Sequence, residues 1–115
     1  MRCSRLWSAV AVWVCASSAH AHAHLQSSVP AEGSTAATAP RQIVLRFSEA
    51  ARLTALWIQR DGAARQKVAS LPETPAAEIT VPVPPLAPGH YTMSWRVLSE
   101  DGHVMSGQIH FTLGG

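Results

Sequence analysis

Through Tyr91, Met93, Trp95 and Val97 the chain alternates strictly with Thr92, Ser94 and Arg96, and this pattern constrains the fold more than any other feature. A period of two puts one set of side chains on one face of a strand, whereas a helix of 3.6 residues per turn would scatter them around its circumference. Ile43, Leu45 and Phe47 repeat the pattern, as do Ile109, Phe111 and Leu113, and shorter apolar stretches at 54–59 and 79–83 also suit strands. Arg60-Asp61-Gly62 reads as a hairpin turn, because Asp-Gly readily supplies positive backbone angles. Residues 70–77 read as a loop. Pro82, Pro84, Pro85 and Pro88 lack the amide hydrogen that a central strand needs, so they confine the stretch at 79–83 to an edge. Short strands at this spacing, with no internal repeat and no second domain, predict an all-β fold, a β-sandwich or Greek-key barrel.

The first 21 residues read differently. Arg2 and Arg5 supply a positive start, and the uncharged apolar run from Leu6 to Ala16 is too short to span a bilayer. Ala19-His20-Ala21 then meets the small-x-small pattern of a secretory cleavage site, and Ala21-His22-Ala23 meets it again. The first site is the favoured one, which gives a signal peptide at 1–21 and a mature domain at 22–115. Trp13-Val14 precedes Cys15 where lipid attachment wants small residues, so a lipid anchor is not expected.

Removing that segment changes what the composition implies. The formal charge of +2 comes from Arg2 and Arg5, and the remainder carries seven basic and seven acidic residues. A balanced domain offers no electrostatic case for nucleic acid or an anionic membrane as partner. Cys3 and Cys15 leave with the signal as well, so the exported domain has no disulfide and depends on its apolar core. Trp57 and Trp95 are expected inside that core. Met93 and Met105 are too few and too far apart for a thioether site, since soft Cu(I) wants several sulfur donors together.

The chemistry comes from the two ends of the mature chain. An N-terminal His22 offers an α-amine and an imidazole that close one chelate ring, with reference pKa values of about 8 and about 6.5 for such groups. Asp101 and His103 lie two positions apart around Gly102. In an extended segment they share a side, although the triplet is equally a plain hairpin turn with an exposed histidine. Three nitrogens and a carboxylate oxygen suit tetragonal Cu(II), and Zn(II) can use the same donors in another geometry. His24 offers a competing mode, in which a free amine, two deprotonated amides and the third-position imidazole wrap Cu(II). Ala23 permits it, where proline would remove an amide proton. His90 and His110 read as solvent-facing strand residues.

With these motifs the chain resembles the CopC family of periplasmic copper-binding proteins. The resemblance runs through His22-Ala23-His24-Leu25, Ser28-Val29-Pro30-Ala31-Glu32-Gly33-Ser34, Leu45-Arg46-Phe47-Ser48-Glu49 and Leu86-Ala87-Pro88-Gly89-His90-Tyr91. It continues through Trp95-Arg96-Val97-Leu98-Ser99, Asp101-Gly102-His103 and Ser106-Gly107. It implies an immunoglobulin-like or cupredoxin-like Greek-key β-barrel with a Cu(II) site on His22, Asp101 and His103, and Glu49 as a weak or outer ligand. It also implies a role in copper homeostasis or resistance, and a CopD-type membrane protein as partner. Because no membrane span follows the domain before Gly115, that partner is expected as a separate chain. The methionine-rich loop of family members that bind Cu(I) has no counterpart between Arg60 and Glu78, so one Cu(II) site in a monomer is expected.

Two other classes of function predict different observations. A copper monooxygenase would use the same terminal histidine chelate but needs an open coordination position and an aromatic surface for a polymer. A metal-free immunoglobulin-like interaction domain would fold normally and take up no stoichiometric Cu(II). No Ser/His/Asp or Cys/His arrangement and no phosphate-binding glycine loop is present, so no enzymatic activity is expected.

Overall fold

The computed structural model describes residues 23–114. The expected signal peptide at 1–21, its cleavage after Ala21, both cysteines and the expected ligand His22 lie outside the described residues. The described residues are all β, without a helix. They form β1 (Leu25–Val29), β2 (Ser34–Ala36), β3 (Gln42–Arg60), β4 (Gln66–Lys67), β5 (Ala76–Pro82), β6 (Gly89–Ser99) and β7 (Val104–Leu113).

The two apolar stretches at 43–47 and 54–59 belong to one continuous strand, β3, and this strand organises the molecule. Its first half pairs with β1 on one side and β5 on the other, and its second half pairs with β6 and β4. The sheet runs β1-β3-β6-β7-β2. All pairings are antiparallel except β2 with β7, so the sheet is mixed. It curls around one cluster that includes Leu45, Leu56, Met93, Val97 and Ile109. The stretch at 79–83 falls largely in β5, an edge strand paired only with β3 among the described strands, which ends at Pro82 before Pro84, Pro85 and Pro88. The Asp61-Gly62 turn closes with a hydrogen bond from the Ala63 amide to the Arg60 carbonyl at 2.9 Å.

Trp57 is not a core residue, contrary to its expected position. The β3–β6 register slips between Leu53 and Ala55, so Ala55, Leu56 and Ile58 are buried and Trp57 is turned outward. One extra residue at a bulge exchanges the inner and outer faces of everything beyond it. The half-buried Trp57 ring instead lies under the Arg65 guanidinium, 4.0 Å from its centroid, with that of Arg96 at 5.5 Å. Trp95 is buried as expected, with its ring edge-on to Phe47 at 5.2 Å. Its cross-strand partner on β7 is Gly107, where the absent side chain makes room for the indole.

Candidate metal centre

The turn from β6 to β7 is built by its own backbone and one carboxylate. The Ser99 amide donates to the His103 carbonyl at 2.8 Å, and the Gly102 amide donates to the Ser99 carbonyl at 3.0 Å. Gly102 holds a φ of 89°, a left-handed conformation that a side chain would strain. Asp101 Oδ1 accepts the His103 amide at 3.0 Å, and Asp101 Oδ2 lies 2.8 Å from His103 Nδ1. The carboxylate and the imidazole therefore meet as expected, but by an Asx-type turn in which the aspartate caps the residue two positions on. Strand alternation does not bring them together. The imidazole is 64% exposed and the carboxylate 26%, so the pair is open to an arriving ion.

The start of the described chain is fastened beside the base of this turn. Ala23 is fully buried, and its amide donates to Ser99 Oγ at 3.3 Å. The His24 amide donates to Ser48 Oγ at 2.9 Å, while the Ser48 amide donates to the His24 carbonyl at 2.8 Å. Residues 23 and 24 thus lie between Ser99 on β6 and Ser48 on β3. Glu49 follows Ser48 and is exposed, as is the His24 side chain.

Of the expected ligands, Asp101 and His103 are in contact, while His24 and Glu49 belong to the segments that meet at Ser48. Among the described residues no three His, Cys, Asp or Glu side chains are gathered so that they could hold an ion. Ser48 and Ser99 were not singled out from the sequence. The hydroxyl of each accepts a hydrogen bond from a backbone amide 24 or 76 residues away, and spacing carries no signal for that.

Phe47, Tyr91, Trp95 and Phe111 are all buried, so none of these rings is presented to solvent. Met93 is fully buried in the core, and Met105, the second residue of β7, is half-buried.

Residues 25–114 match the CopC domain family. Copper resistance protein C of Pseudomonas syringae pv. tomato is 37% identical over 103 residues, covering 81% of this chain and 81% of its own. Protein YobA of Escherichia coli (strain K12) is 34% identical over 98 residues, covering 81% of this chain and 79% of its own. Among solved structures, CopC from Methylosinus trichosporium OB3b superposes with a TM-score of 0.71 at 28% identity, covering 81% of this chain and 94% of that one. PcoC from Escherichia coli, described as a methionine-rich copper resistance protein, superposes with a TM-score of 0.60 at 33% identity, covering 81% and 99%.

Proposed function

The chain belongs to the CopC family, and from that premise we propose that it is a periplasmic protein that binds one Cu(II) ion and buffers, sequesters or delivers it. In this reading residues 1–21 are removed on export, the mature domain is a monomer, and the ligands are the amine and imidazole of His22, the carboxylate of Asp101 and the imidazole of His103. A CopD-type membrane protein is its partner.

The observation that carries the proposal is the contact between Asp101 Oδ2 and His103 Nδ1 at 2.8 Å. The contact is a hydrogen bond of ordinary length, so it brings the two donors together without choosing a metal, and Cu(II) is favoured over Zn(II) by the donor set of three nitrogens and one carboxylate oxygen. A metal entering there replaces the proton shared by the pair, so uptake releases protons and weakens on acidification.

The fastening of Ala23 and His24 supports His22 as the third contributor. It brings the chain to Ser99, two residues before Asp101, and leaves one residue to reach the turn. It also weighs against the wrapped tail complex in the folded protein. That complex needs the amide nitrogens of Ala23 and His24, and both amides already donate to serine hydroxyls.

A binding role is favoured over copper monooxygenase chemistry. Phe47, Tyr91, Trp95 and Phe111 are buried, which leaves the half-buried Trp57 under Arg65 as the one aromatic ring among the described residues near the surface, and the carboxylate of Asp101 would occupy a position that oxygen requires. The absence of methionine between Arg60 and Glu78 supports a single Cu(II) site. Intact-mass determination of the exported protein together with Cu(II) titration tests the proposal. It predicts a chain beginning at His22 that takes up one equivalent; a domain that folds and takes up none would overturn it.

A further inference from the structure

A second pair of histidines lies at the other end of the same hairpin, and the function proposed above makes no use of it. His90 on β6 is paired with Thr112 on β7, and Thr92 with His110, so the two histidines sit on one face at diagonal positions. The hydrogen-bonded pair at the turn is Ser99 with His103. Counting back in alternation makes both of these pairs of the non-hydrogen-bonded kind, in which side chains approach more closely. Diagonal neighbours of this kind have Cβ atoms within about 7–8 Å, a gap that two imidazoles can span. Both histidines line one shallow open cavity of about 230 Å³, together with Asp61, Thr92 and Thr112.

The outer contacts of the rings give this pair its chemistry. His110 Nδ1 lies 3.3 Å from Glu32 Oε1, and the same oxygen accepts the His110 amide at 3.1 Å. An ionised carboxylate only accepts, so Nδ1 carries the proton in the neutral ring and Nε2 carries the lone pair. His90 Nδ1 lies 2.8 Å from Thr112 Oγ1, which can accept in the same way. Both histidines are exposed, and a ring held by an acceptor at Nδ1 keeps the lone pair of Nε2 for a metal, as histidine metal ligands do.

From this geometry we infer that His90 and His110 form a second site for a borderline divalent ion such as Zn(II) or Cu(II), bound through the two Nε2 atoms. Water completes the coordination: Asp61 borders the cavity and Glu32 holds His110, but among the described residues no three His, Cys, Asp or Glu side chains are gathered closely enough to hold an ion. The site is therefore weaker than one with three or four protein donors, and it fills after the first equivalent. It is independent of the turn at Asp101, about 30 Å away along β6 at about 3.3 Å per residue.

The test is titration of the untagged, exported protein with Zn(II), followed by heat and by the ring nitrogen signals of each histidine. The expected result is a weak equivalent, separate from any at the turn, in which the His90 and His110 signals move together. His90→Gln or His110→Gln removes that equivalent, and Asp101→Ala leaves it in place. Glu32→Gln weakens it about tenfold without removing a ligand. Zn(II) that moves neither ring signal in the unsubstituted protein, or a weak equivalent that survives both histidine substitutions, would overturn the assignment. A parallel Cu(II) titration that shows no uptake at the turn, with the His90 and His110 response to Zn(II) intact, would instead count against the Cu(II) site alone.

Discussion

The amide of Ala23 donates to the hydroxyl of Ser99 in a long hydrogen bond of 3.3 Å, joining residues 76 positions apart. Ser99 is buried and closes β6, and the turn bearing Asp101 and His103 begins immediately after it. One bond thus ties the entry of the chain to the loop that carries two expected ligands. Ser99→Ala removes the bond without removing a ligand. A hydrogen bond of this kind contributes about 1 kcal/mol, so Cu(II) affinity should fall about fivefold while the stoichiometry stays at one. Competition titration measures this, and an unchanged affinity would show that the anchor does not position the N-terminus.

Asp101→Ala should cost more. It removes the carboxylate from the site and both bonds to His103, and its effect should exceed the about 10–100-fold typical of changes outside the ligand set. Adding His103→Ala should leave a copper complex with an altered absorption and paramagnetic spectrum, formed by the tail from His22 to His24 once the folded site is gone. Complete loss of copper binding in that double variant would rule out the tail complex.

Cu(I) should bind poorly. Met93 is enclosed in the core, Met105 is half-buried, and the segment between β3 and β5 has no methionine. Titration against a competing Cu(I) chelator should find no stoichiometric complex. A Cu(I) affinity comparable to that for Cu(II) would contradict the single-site account.

Gly107→Ala should destabilise the fold. A Cβ there would stand 2.6 Å from Cζ2 of Trp95 and 2.9 Å from Cε2, and the buried, rigid indole has no flexible end to move aside. Overpacking of this kind costs about 1–3 kcal/mol, to be read as a lower urea midpoint with an unchanged slope.

How far the sequence reveals this molecule depends on which interactions are local. Alternation located β6, β7 and the first half of β3, because a half-buried strand writes its own pattern, and short apolar stretches located β5 and the second half of β3. Neither signal revealed that the halves of β3 are continuous, or that a bulge near Thr54 turns Trp57 to solvent, since both follow from pairing with distant strands. β1 and β2 are short and largely polar, and neighbouring strands define them. The two-residue spacing of Asp101 and His103 fits a plain hairpin turn equally well, and the pair stood out only in company with the other motifs of the chain. The serine anchors were not legible, because a hydroxyl bonded to a remote amide leaves no trace in the order of residues.

The central claim is that the free amine of His22 completes a Cu(II) site with Asp101 and His103. The most direct measurement compares Cu(II) affinity for protein whose intact mass shows His22 as the first residue with protein carrying any extension before it. The account predicts one tight equivalent for the free terminus and markedly weaker binding with the extension. Equal affinity in the two preparations would contradict it.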